Sequence, residues 1–144
     1  MCTDYRKVNS VTKTDTFPIS RMDDCIDRVG KATYVTKFDL LKGIWEVPLT
    51  DRDKEISAFF TPNGLYQYKV MPFGMKNSPA SFQRLINKVI ADLKGCEAYI
   101  DDVIIYRDTW EEHLTIIRDA DHQSFEKRVW SRAGNLSRTR CWTM

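Results

Sequence analysis

Apolar positions recur at helical spacing in some segments of the chain and crowd at strand-like density in others. Met22, Cys25, Ile26 and Val29 share one helical face, with Ser20 placed as N-cap and Gly30 closing the helix. Tyr34-Val35-Thr36-Lys37-Phe38 reads as a strand with Asp39 at its end. Pro48, soon after Asp39, excludes a long uninterrupted helix following the strand. Glu55 to Phe60 and Leu65 to Met71 read as strands joined by Thr61-Pro62-Asn63-Gly64, where Pro fixes φ and Asn-Gly tolerates positive φ. The strongest stripe is Phe82, Leu85, Ile86, Val89, Ile90 and Leu93, capped by Ser78, with Pro79 at the first position and Gly95 at the end. Tyr99 to Tyr106 is rich in β-branched and aromatic residues and predicts a hairpin: Ala98 to Ile100 up, Asp101-Asp102 at the tip, Val103 to Tyr106 down. Thr109-Trp110-Glu111-Glu112 is a capping box before a helix with Trp110, His113, Leu114 and Ile117 on one face. Residues 1–19 read as extended and polar, ending at Phe17-Pro18. This order predicts an α+β fold with helices packed on one face of an antiparallel sheet, a domain over residues 1–120. Asp121 to Met144 holds no sustained period and is expected to be a poorly ordered basic tail.

At 144 residues and 42% hydrophobic, the chain can bury a core and is not of disordered composition. Residues 121–144 carry a net charge of +3, with Lys127, Arg128, Arg132, Arg138 and Arg140 against Asp121 and Glu126, so the whole chain's +2 leaves residues 1–120 at −1. The body is near neutral, so any phosphate backbone it binds must meet a local groove rather than bulk charge. Cys2, Cys25, Cys96 and Cys141 form no C-x-x-C pair, and no signal peptide precedes them, so reduced thiols and an intracellular location are expected. No apolar stretch reaches the length of a membrane span, and no membrane partner is expected. Nothing places a nucleophile beside His113 or His122.

The two carboxylates of Asp101-Asp102 inside an apolar run carry the most chemical information. Adjacent charges repel, and burial raises their pKa unless a cation neutralises them. On the octapeptide alone, a turn facing water is the simpler reading. A metal site for phosphoryl transfer needs a further carboxylate at a strand end, and Asp39 is the candidate, although Asp also caps helices. Asp39 and Asp101 converging in one sheet could hold two Mg²⁺ ions about 4 Å apart, since hard cations prefer oxygen ligands.

Three longer stretches and one short one then resemble a known family. Phe38-Asp39-Leu40-Leu41-Lys42-Gly43-Ile44-Trp45-Glu46-Val47-Pro48-Leu49 resembles motif A of reverse transcriptases. Tyr66 to Gln83, with Met71-Pro72-Phe73-Gly74 and Asn77-Ser78-Pro79-Ala80 inside it, resembles motif B. Tyr99-Ile100-Asp101-Asp102 resembles the Tyr-x-Asp-Asp box, and Asp4-Tyr5-Arg6-Lys7-Val8-Asn9 a finger motif. The wording is closest to gypsy-type LTR retrotransposons and covers roughly residues 1 to 118. The resemblance implies an RNA-directed DNA polymerase palm with partial fingers and no thumb. Asp39, Asp101 and Asp102 would be catalytic, with two Mg²⁺ ions (Mn²⁺ as an alternative) on Asp39, Asp101 and the Leu40 carbonyl. Arg6, Ile44, Phe73 and Gly74 would meet the incoming deoxynucleoside triphosphate, and Gln83, Tyr99 and Ile100 the template and primer. Ile44 departs from the family, which usually has a large aromatic ring there to exclude the ribose 2′-hydroxyl. Ribonuclease H, integrase and protease domains of a parent polyprotein are implied by the family, and none of their motifs is present here. The alternative reading is a truncated, inactive retroelement remnant with at most weak nucleic-acid binding.

Overall fold

A computed structural model describes residues 3–19, 22–40 and 43–119, with backbone alone at Met22, Glu46 and Asp119. The expected cap at Ser20, the domain end at residue 120 and the tail 121–144 lie outside the described residues. Along the chain run α1 (Arg6–Val11), α2 (Met22–Val29), β1 (Tyr34–Asp39), a 3-10 turn (Gly43–Glu46) and α3 (Asp51–Ile56). There follow β2 (Phe59–Thr61), β3 (Gly64–Tyr66), α4 (Ser78–Ile90), β4 (Cys96–Tyr99), β5 (Asp102–Arg107) and α5 (Trp110–Asp119).

The central sheet has the order β1-β5-β4, all antiparallel. Alternate residues Cys96, Ala98, Val103 and Ile105 turn to one face and are buried there. They meet Phe82, Leu85, Ile86 and Val89 of α4, which are almost wholly buried. Each such side chain contributes about 1.5–3 kcal/mol on burial. Ile116 and Ile117 of α5 join the same cluster, so α4 and α5 cover one face as the α+β pattern predicts. On α5, His113 is buried with its Nε2 2.8 Å from Thr36 Oγ1, which pins the helix to β1. At the other face, Arg28 of α2 pairs with Glu97 at 2.8 Å.

Several expectations are corrected. The N-terminal stretch is not extended throughout, because Arg6–Val11 forms a helix. That helix buries no side chain of its own, so no apolar period announces it. Tyr5, just before it, is buried and donates to the Ser57 carbonyl at 3.2 Å. Glu55 and Ile56 are helical rather than strand. Thr50 caps α3 by accepting from the Asp53 N–H at 3.2 Å and donating to the Asp53 carboxylate at 2.6 Å, a local gain that outweighs strand propensity. The strand read over Leu65 to Met71 stops at Tyr66, and beyond it Val70 forms an isolated bridge with Pro48.

At α4 the N-cap is Asn77, not Ser78, and the helix ends at Ile90, well short of Gly95. Asn77 makes no side-chain cap. Its amide instead donates to the Lys13 carbonyl and accepts from the Asp15 N–H. Arg84 pairs with Asp15 at 2.6 Å and lies over the Phe17 ring, so α4 also holds the N-terminal stretch. Gly95 sits at φ +68 in the turn into β4, a conformation that favours glycine.

Leu85→Ala is expected to lower unfolding free energy by about 2–5 kcal/mol, because α4 cannot collapse onto the gap. Thr50→Ala should cost about 1 kcal/mol through loss of the α3 cap. Urea denaturation of each variant, read by circular dichroism, checks both values and their order.

Candidate active site

Register places the carboxylates. β1 runs antiparallel to β5 with Asp39 directly opposite Asp102, and β4 pairs Tyr99 with that same Asp102. Directly opposed side chains have Cβ atoms about 4.5–5.5 Å apart, where like charges repel. Lys37, two residues before Asp39 and so on the same sheet face, reaches across to Asp102 with Nζ–Oδ2 at 2.9 Å. The two-residue hairpin tip lies one residue earlier than expected. Ile100 and Asp101 form its tip, while Asp102 is the first residue of β5.

The tip is bound to β1 as well as to β5. The Leu40 N–H donates to the Asp101 carbonyl at 2.7 Å. Asp101 Oδ1 is buried and has no hydrogen-bond partner. Burial pushes the Asp101 carboxyl above its ordinary value of 3.8, and the charges of Asp39 and Asp102 push it further the same way. Among the described residues, no group of three His, Cys, Asp or Glu side chains is gathered closely enough to hold a metal ion. Two carboxylates suffice for a Mg²⁺ ion that keeps several waters and shares substrate phosphates. The buried oxygen of Asp101 fits such an ion. The Leu40 carbonyl, expected as a ligand, already accepts the Gly43 N–H at 2.9 Å and retains one lone pair.

The residues expected to meet a nucleotide are joined to this centre by a chain of contacts. The Met71 N–H donates to the Val47 carbonyl at 2.8 Å, and the Leu49 N–H to the Lys69 carbonyl at 3.1 Å. These bonds bring the loop carrying Phe73 and Gly74 beside the turn that follows Asp39. Phe73 is 47% exposed and packs on Trp45, itself 44% exposed, with ring centroids 5.4 Å apart. Gly74 has φ +91, and Asn9 of α1 donates to its carbonyl at 2.8 Å and accepts from the Lys76 N–H at 2.8 Å. α1 carries Arg6, whose guanidinium is engaged with both oxygens of Asp4, the shortest contact being 2.6 Å. That partner holds the Asp4 carboxyl down at about 2.

Two residues are placed otherwise than expected. Ile44 is 5% exposed and belongs to the hydrophobic core, so its side chain is not open to a ribose; the next residue, Trp45, faces outward. Gln83 is 0% exposed and does not face a template; its amide bonds Ala98 and Ile100 of the aspartate hairpin. Tyr99, which precedes the tip, and Ile100, within it, are half-buried. Lys37 and Trp45 were missed. The two-residue period of a strand was the available signal for Lys37, and nothing in the spacing singled out Trp45. Cys25 and Cys96 are free thiols, and burial pushes Cys96 up to about 11. No helix of the described residues is long and apolar enough to cross a membrane.

Residues 1–128 match the family model described as "Reverse transcriptase (RNA-dependent DNA polymerase)". The chain is 41% identical over 117 residues to the Retrovirus-related Pol polyprotein from transposon 297 of Drosophila melanogaster, covering 80% of this chain and 11% of that protein. Over 123 residues it is 37% identical to an RNA-directed DNA polymerase homolog of Oenothera berteroana, covering 82% of this chain and 87% of that protein. Among solved structures, it superposes on the foamy viral protease-reverse transcriptase in complex with RNA/DNA hybrid with a TM-score of 0.71 at 25% identity. That match covers 88% of this chain and 17% of the other. The chain thus spans about a tenth of the transposon polyprotein.

Asp101→Asn tests the electrostatics. A carboxyl whose folded pKa is raised binds more protons folded than unfolded, so its contribution falls as pH rises from 3.8 through the raised value. Asp101→Asn is therefore expected to be more stable than wild type at neutral pH, with the difference closing as pH falls into that window. Urea titrations across pH check the sign. Ile44→Tyr should lower stability by about 1–3 kcal/mol through overpacking. Denaturation midpoints decide that, and an unchanged midpoint would show that the position opens to solvent.

Proposed function

The chain belongs to the reverse transcriptase family, and on that footing we propose that it is the palm of an RNA-directed DNA polymerase. The observation that carries the reading is the opposition of Asp39 to Asp102 at a sheet end, with Asp101 next in the hairpin tip holding a buried, unpartnered oxygen. Asp39 and Asp101 would hold the divalent ions, Mg²⁺ or Mn²⁺, with the free lone pair of the Leu40 carbonyl. The ions would supply Lewis-acid activation of a primer 3′-hydroxyl and charge stabilisation on the leaving pyrophosphate.

The chain's own residues would do the rest. Asp102, neutralised by Lys37, would keep its place beside the metal ligands without adding a third free charge. The exposed Phe73–Trp45 pair offers an apolar face to the incoming deoxynucleotide, and Gly74 lets backbone approach closely. Arg6 would exchange its Asp4 carboxylate for triphosphate oxygens, to which its fork of donors is equally matched. A primed RNA or DNA template is the proposed partner, supported by the RNA/DNA hybrid and double-stranded DNA in the foamy viral complexes.

A second reading, an inactive remnant that keeps the fold, is favoured by one observation. Among the described residues no three potential ligands are gathered for a metal ion. Primer extension separates the two. With Mg²⁺, a primed RNA template and deoxynucleotides, the full chain is expected to extend the primer and Asp101→Asn to fall to background. A folded wild-type protein that extends nothing would leave the remnant reading standing.

A further inference from the structure

β4 lies at the edge of the sheet, so one row of its peptide groups has no strand beside it. The Ala98 carbonyl and the Ile100 N–H, two residues apart, point to the same side. Gln83 meets both. Its Nε2 donates to Ala98 O at 2.8 Å and its Oε1 accepts the Ile100 N–H at 2.6 Å. One side-chain amide thus substitutes for one residue of an adjoining strand. Its second N–H goes to Asn87 Oδ1 at 2.8 Å, one helical turn along, while the carbonyl of Ala98 and the N–H of Ile100 fix which end of the amide faces which peptide. Gln83 rides between the fully buried Phe82 and Leu85 on α4, so the amide is delivered from a rigid support.

The turn it clamps is strained. Ile100 has φ +51, the left-handed region, and is the only non-glycine residue with positive φ among the described residues. A β-branched residue is especially disfavoured there, so the surroundings must over-determine the conformation. We propose that Gln83 is a positioning residue of the active site: its buried amide holds Ile100 in the left-handed conformation and thereby sets Asp101 beside Asp39. From Asp101 the constraint passes to β1, because the Asp101 carbonyl accepts the Leu40 N–H at 2.7 Å. A single amide on α4 therefore restrains both carboxylate-bearing segments.

The consequence for metal binding rests on the polymerase reading; the clamp itself does not. Amide hydrogen exchange and Mg²⁺ titration, both by NMR on the full chain, test the two separately. In wild type the Ile100 amide is expected to be protected. In Gln83→Met, which keeps length and removes both hydrogen bonds, its protection should fall roughly tenfold or more while Leu85 to Val89 stay protected. Gln83→Glu keeps the acceptor for Ile100 and should fall between, and it decides the matter if the Met variant does not fold. The Mg²⁺ midpoint at the Asp101 resonance should rise several-fold in Gln83→Met and recover partly in Gln83→Met/Ile100→Gly, because glycine adopts positive φ unaided. A rescue of this kind is not expected if Gln83 merely fills space. An Ile100 amide that exchanges freely in wild type, or keeps its protection in Gln83→Met, would overturn the proposal. A wild type that binds no Mg²⁺ at Asp101 while losing Ile100 protection in the variant would sink the metal site and leave the clamp.

Discussion

Because β1 pairs with β5 so that Asp39 faces Asp102, the site has no freedom to form separately from the sheet. Side chains alternate between faces with a period of two, so a slip of one residue would turn Val103 and Ile105 to solvent. The same slip would carry Lys37 away from Asp102. The apolar face against α4 therefore selects the register, and the register selects which carboxylates meet. Repulsion between Asp39 and Asp102 opposes this pairing. It is tolerated because the packing on the other face is worth several times a surface charge pair.

α4 serves the site from two directions. Asn77 at its N-cap holds the 13–15 stretch, and Arg84 in its middle holds Asp15. The loop entering it carries Gly74, to which Asn9 ties α1. Its middle carries Gln83 to the hairpin. The loop that packs Phe73 on Trp45 is anchored by Met71, which sits in the same core as Leu85 and Val103. The loop bearing Phe73 and the aspartate hairpin stand in a constant relation. Here one well-buried helix supplies that relation, without a connection of its own to either aspartate.

The parts of this arrangement with a hydrophobic period were legible in the residues. β1, β5 and the stripe of α4 each combine a clear period with matching propensity, and Asp39 and Asp101 were readable as strand-end and hairpin carboxylates. α1 and α3 were not, since each is a six-residue polar helix, α3 held by its Thr50 cap and α1 by the bonds of Asn9 to Gly74 and Lys76. Gln83 illustrates a subtler failure. A polar residue beside an apolar stripe reads as solvated, yet α4 is enclosed on more than one side and buries Ser78, Ser81 and Gln83 with its apolar residues. Ile44 failed for a related reason. Its motif position predicts a nucleotide contact, while the turn geometry after Asp39 sends its side chain into the core and presents Trp45 instead.

Charge is distributed unevenly over the three aspartates. Lys37 neutralises Asp102 at 2.9 Å, and among the described residues no cation pairs with Asp39 or Asp101. Asp101 bears the cost, with one oxygen buried and unpartnered and a carboxyl held above its ordinary range by burial and two neighbouring charges. A fold selected for stability alone would replace it with a residue that needs no counter-charge. Keeping a carboxylate there is consistent with a site that gains its missing positive charge from outside the chain. A divalent ion would relieve the desolvation of Asp101 and its repulsion from Asp39 at once, so binding energy would come from removing strain already present in the sheet.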